Sequence, residues 1–139
     1  SCTCMIKASD FKLIESFNSL GREDANLEGL YSGYAIPTKM NGIPITDSKQ
    51  YSCSFSISST GILSGDFTVG PHTIHFESEE AVSGPGVYQV KGTVELLNQT
   101  FSFTGTATVS TADGNSLAFT SVVYTNLGLE SDFSFSGSK

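Results

Sequence analysis

Residues 101–109 read Phe-Ser-Phe-Thr-Gly-Thr-Ala-Thr-Val, with apolar and hydroxyl-bearing side chains in alternation. In an extended strand a period of two puts Phe101, Phe103, Ala107 and Val109 on one face and Ser102, Thr104, Thr106 and Thr108 on the other. The pattern recurs upstream, where Tyr51, Cys53, Phe55 and Ile57 alternate with Ser52, Ser54, Ser56 and Ser58. It recurs again at the end of the chain, where Phe133 and Phe135 alternate with Ser134, Ser136 and Ser138. Strands with one apolar and one hydroxyl-rich face belong to an antiparallel sheet that buries one side and wets the other.

Working outward, the period of two holds from about residue 27 to the C-terminus, with turn signals about every ten residues. It predicts strands at 28–36, 49–58, 61–69, 72–78, 86–97, 100–110, 116–125 and 129–138. The separators are Gly-, Asn- and Asp-containing tight turns such as Gly70-Pro71, Asn98-Gln99 and Asp113-Gly114. Short connections make successive strands antiparallel neighbours, so the expected fold is mainly β, an up-and-down meander of about eight strands. Gly29, Gly33, Gly65, Gly92, Gly105 and Gly137 fall on the apolar parity of their strands, where they bury nothing. Their purpose is then to let strands bend or approach closely, which favours a closed β-barrel over the alternative, a β-sandwich. The segment 37–48, with two prolines, is the one long loop and a candidate lid. Upstream, Leu13, Ile14, Phe17 and Leu20 share one helical face between a Ser9 or Asp10 cap and Gly21, so a short N-terminal helix is expected over 10–20. The whole chain, 1–139, reads as a single domain with an arm at 1–8, this helix, and a β-body over 27–139.

With 14 acidic and 7 basic side chains the formal charge is −7, and Arg22 is the only arginine. Such a chain has no footprint for nucleic acid or an anionic membrane surface. No apolar run is long enough to span a membrane as a helix, so a soluble protein, cytoplasmic or secreted, is expected. Cys2 near the start admits a lipid anchor as a further reading. Three cysteines, Cys2, Cys4 and Cys53, make no disulfide framework, and Cys53 has the parity of a small core residue. Asn98-Gln99-Thr100 matches the N-glycosylation acceptor pattern in an expected hairpin loop, and is read there as a turn.

Residues able to carry chemistry are few. His72, His75, Glu77, Glu79 and Glu80 form the densest cluster. His75 and Glu77 sit two apart on one outward strand face, the best metal-ligand pair in the chain, although a third ligand is not evident. The expectation is therefore no metal and no cofactor. With 22 Ser and 14 Thr no single hydroxyl stands out as a nucleophile, and there is no Gly-x-Ser-x-Gly elbow. The outward Ser/Thr rows could hydrogen-bond carbohydrate, with Tyr34 and Tyr124 as the available stacking platforms.

The apolar face is the more specific feature. Phe55, Phe67, Phe76, Tyr88, Phe101, Phe103, Phe133 and Phe135 could enclose a small neutral apolar ligand, or could simply fill the barrel. In outline the pattern, a helix before an eight-strand meander, resembles the lipocalin kind of ligand carrier. The Gly-x-Trp signature of that family has only Gly29-Leu30-Tyr31 as its counterpart, and the chain contains no Trp, so no functional residue is carried over. The leading expectation is a non-enzymatic binder of a small hydrophobic molecule. A protein-interaction or structural β-module with a filled core is the alternative. A barrel-type cyclase or isomerase comes third, and would need an inward polar group such as Tyr31, Tyr51 or Tyr88.

Overall fold

The computed structural model describes residues 26–139. Nine antiparallel strands follow in chain order: β1 (Gly29–Met40), β2 (Ile43–Pro44), β3 (Tyr51–Ile57), β4 (Leu63–Val69), β5 (His72–Ser78), β6 (Gly86–Leu96), β7 (Gln99–Ala112), β8 (Ser116–Thr125) and β9 (Glu130–Ser138). Each long strand pairs with the next, as tight turns dictate, and β2 is a two-residue strand folded back on the end of β1. β9 returns to β1 and pairs with it from Asp132↔Lys39 to Ser138↔Ser32. That pairing leaves no open edge between the first and last long strands, which makes the sheet an eight-stranded barrel and excludes the sandwich. The expected helix over 10–20 and the arm 1–8 lie outside the described residues.

The expected strands match the observed ones closely except at the first. The predicted strand 28–36 and loop 37–48 are corrected: β1 continues through Pro37 to Met40 and turns at Asn41-Gly42 into β2. Asn41 and Gly42 have φ of 49° and 84°, the left-handed pair of a type I′ hairpin turn. Pro37 is tolerated within β1 because the register to β9 slips beside it, Phe133 facing Pro37 and Asp132 facing Lys39, so that Thr38 bulges. The loop is left with residues 45–50.

Alternation sends one parity inward along each strand, switching only where the register slips after Pro37 in β1 and after Val109 in β7. Tyr31, Phe55, Ile57, Leu63, Phe76, Val90, Phe103, Leu117, Phe119 and Phe135 are all buried on that inward face. The inward glycines explain how so many rings fit. Across neighbouring strands the register runs Phe55↔Gly65↔Phe76↔Gly92↔Phe103, each aromatic beside a residue with no side chain. A Cβ at Gly65 would lie 2.5 Å from the Phe55 ring, and one at Gly92 would lie 2.6 Å from the Phe103 ring. Rings folded over cross-strand glycines let the sheet coil tightly and occupy the space the glycines leave.

The end of the barrel where β1 begins is closed by tyrosine hydroxyls. Tyr31 Oη donates to the Leu27 carbonyl at 2.6 Å, and Tyr88 Oη donates to the Gly84 carbonyl at 2.7 Å while accepting from the Ser83 amide. Ser78, buried at the end of β5, accepts the Leu63 amide through its hydroxyl at 2.9 Å. The Ser78 bond satisfies a buried amide that the β4 start would otherwise leave unpaired, and the tyrosine bonds fasten the loops at this end.

Candidate functional site

The interior brings together five of the eight aromatics expected to line a ligand site, and adds one. Phe55 lies at the centre, with ring centroids of Phe67, Phe76, Phe119, Phe133 and Phe135 at 6.3, 5.6, 5.2, 6.2 and 4.7 Å. Phe119 is missing from the sequence-derived set, yet it also stacks on Phe76 at 5.6 Å. The other three stand apart: Phe103 covers Gly92, Tyr88 closes the barrel end, and Phe101 is half-buried. Of the three tyrosines proposed for a cyclase, Tyr31 and Tyr88 have their hydroxyls committed to backbone carbonyls, and Tyr51 is half-buried under the Lys49 ammonium. The Cys53 thiol is pushed up to about 11 by burial, so it stays protonated and unreactive near neutral pH.

Outside, the two-residue turn at Gly70-Pro71 sets Asp66 opposite His75 on the outward faces of β4 and β5. Glu95, on β6, stands diagonally across from the same imidazole. His75 Nδ1 meets Asp66 Oδ1 at 3.0 Å and Nε2 meets Glu95 Oε2 at 3.1 Å, so both ring nitrogens face carboxylates. Only the imidazolium can donate both bonds. The Asp66 hydrogen bond raises the His75 pKa, partial burial works against it, and the Glu95 hydrogen bond adds to it. Next to it, Glu77 pairs with Lys91 at 3.7 Å. Asp66, His75 and Glu77 line a groove of about 580 Å³ over β3–β6, together with the hydroxyls of Ser54, Ser56, Ser64 and Thr93. A second groove of about 650 Å³ sits at the barrel end between Leu27, Ile57, Ser58, Val82 and Ala112.

The two candidate metal ligands have separate partners: His75 lies between two carboxylates and Glu77 beside a lysine. Among the described residues no three His, Cys, Asp or Glu side chains are grouped to hold a metal ion, and no helix is long and apolar enough to cross a membrane. His72 turns instead to the Val69 carbonyl at 3.2 Å. At the same end of the barrel Lys39 and Glu130 pair at 3.4 Å. Beside them the Asp132 carboxyl is raised to about 6, first by burial and then by Glu130.

Sequence reasoning picked out His75 but missed Asp66 and Glu95. The signal for Asp66 was present, since a two-residue turn pairs residues equidistant from it; Glu95 needed the register of a third strand. A measurable consequence follows from the His75 geometry. Because the folded pKa is raised above the ordinary value near 6.5, the imidazolium contributes stability that is complete below pH 6.5. That contribution fades as pH climbs through the folded value. The His75 side chain is 40% exposed and solvent-screened, so the gain is on the order of 0.5 kcal/mol. His75→Gln should remove the pH-dependent increment, and a proton NMR titration of the imidazole should place its midpoint above that of a free histidine; a midpoint at or below it refutes the bridged geometry.

No protein-family model, no curated protein and no solved structure matches this chain.

Proposed function

We propose that this protein is a non-enzymatic binding module that works from the outside of its barrel, with the groove over β3–β6 as its contact surface and a basic polypeptide segment as its partner. The observation that carries this reading is the packing of Phe55 against five other rings at 4.7–6.3 Å. A ligand seated among Phe55, Phe67, Phe76, Phe133 and Phe135 would have to displace contacts worth roughly 0.5–1.5 kcal/mol per ring pair beyond burial. The interior therefore reads as a structural core rather than a ligand site. A cyclase would need a free inward polar group, and the hydroxyls of Tyr31 and Tyr88 are already engaged.

The partner's chemistry follows from the groove. Its Ser54, Ser56, Ser64 and Thr93 hydroxyls and the formal charge of −7 favour a hydrogen-bonding, cationic guest, which competes with His75 and Lys91 for the Asp66 and Glu77 carboxylates. The test pairs two probes. Titration of isotope-labelled protein with a hexalysine peptide should shift the amide signals of Ser64, Asp66, His75 and Thr93, and the double variant Asp66→Asn, Glu77→Gln should weaken that binding about tenfold. Shifts spread evenly over the surface and unaffected by the variant count against the groove. A stoichiometric apolar molecule retained in native mass spectrometry of the purified protein overturns the reading altogether and returns the interior as the site.

A further inference from the structure

The hairpin between β6 and β7 carries a combination that neither packing nor the proposed groove explains. Leu96 faces Gln99, so Leu97 and Asn98 are the two central residues of the turn, with φ of 50° and 61°. Asn is at ease in this left-handed region, whereas Leu is not, and such turns favour Asn or Gly at both places. Leu97 moreover gains no burial for its strain, since it is 75% exposed. Asn98, Gln99 and Thr100 are exposed with it. The Asn98 carboxamide makes no hydrogen bond among the described residues, although Asn residues in turns usually bond their own backbone. Asn98-Gln99-Thr100 thus presents an acceptor tripeptide at a protruding tip, its amide free and its threonine hydroxyl uncovered.

We propose that Asn98 is the acceptor of an N-linked oligosaccharide and that Leu97 is the apolar seat on which its first sugar packs. The donor is an oligosaccharide carried on a lipid diphosphate. The Asn98 carboxamide nitrogen forms the new bond to the anomeric carbon, the bond from that carbon to the diphosphate oxygen breaks, the amide proton passes to a base on the transferase, and the lipid diphosphate leaves. No oxidant or reductant is required. The attached sugar covers Leu97, so an exposed apolar side chain at the tip acquires a purpose that packing within the barrel does not supply.

The test starts from the full-length protein purified from its natural source and treated with peptide N-glycosidase in heavy-oxygen water. The expected result is loss of one oligosaccharide and conversion of Asn98 to an oxygen-labelled Asp, read by peptide mass spectrometry. An unmodified Asn98 peptide as the sole species overturns the proposal. Secreted from a eukaryotic cell, the Thr100→Ala variant should lose the glycan while Thr100→Ser keeps it. A glycan retained by Thr100→Ala places the modification elsewhere and refutes the assignment. For the seat, the glycosylated protein should melt several degrees above its deglycosylated form, and Leu97→Gly should abolish that difference. An equal difference in both proteins refutes the role of Leu97.

Discussion

Phe55→Ala is expected to destabilise the protein by about 3–5 kcal/mol, the range for removing a fully buried phenylalanine ring. Phe55 has no exposed surface and meets five other rings, so its loss leaves a cavity whose walls belong to β4, β5, β8 and β9 as well as β3. Those walls cannot collapse together, because each ring is held by a strand whose hydrogen bonds close the barrel. Urea unfolding followed by tyrosine fluorescence should show the midpoint falling with an unchanged slope. A cost below about 1 kcal/mol would mean that the barrel tolerates a void at its centre, and would restore the hollow reading. The same cavity makes a second readout available, since a dry apolar void of this kind binds small aromatic molecules. Benzene should raise the melting temperature of Phe55→Ala and leave the parent unchanged.

Gly33→Ala tests the seam. Gly33 on β1 faces Gly137 on β9, where the barrel closes. A Cβ there would run into the Ser136 carbonyl and would stand 2.5 Å from the Gly137 Cα. These are backbone atoms, with no flexible side chain to swing aside, so the strands themselves must separate. The expected cost is about 1–3 kcal/mol or more, large for a single methyl group. Separating β1 from β9 also exposes two strand edges with unpaired N–H and C=O groups, which invite pairing with another copy. Gly33→Ala should therefore elute partly as dimers and larger species in size-exclusion chromatography, besides melting lower than the parent. A monomeric variant with the parent's melting temperature would show that the seam is looser than the register implies.

How much was legible in the residues varies along the chain. β3 and β7 carry their faces openly, because Ser or Thr stands at nearly every outward position. β8 does not: Ala118, Val122 and Tyr124 lie on one parity while Leu117, Phe119 and Val123 lie on the other. With apolar residues on both sides Phe119 had no distinguishing mark, although it stacks within the central ring cluster. The Asn41-Gly42 turn was visible, but the prolines on either side suggested a loop. Only the slipped register against β9 shows how Pro37 stays within a strand. His75 was singled out for its neighbours in sequence, whereas its partners Asp66 and Glu95 come from the strands on either side.

Period and turn chemistry are local properties, carried by residues a few positions apart. Alone they indicated the eight long strands, their antiparallel pairing, the inward face of every strand but β8 and the glycine positions where the sheet could coil; the two-residue β2 escaped them. Closure is different, because Ser32 and Ser138 stand at opposite ends of the sheet and meet only when accumulated twist and glycine bends bring β9 back to β1. Whether the rings fill the space or line a void is likewise a matter of volume, decided by how closely the cross-strand glycines let Phe55, Phe76 and Phe103 lie against the wall. The charge state of His75 depends on two carboxylates brought within hydrogen-bonding distance by pairing across three strands. These outcomes needed tertiary structure, since they depend on distances between residues whose separation along the chain says nothing of their separation in space.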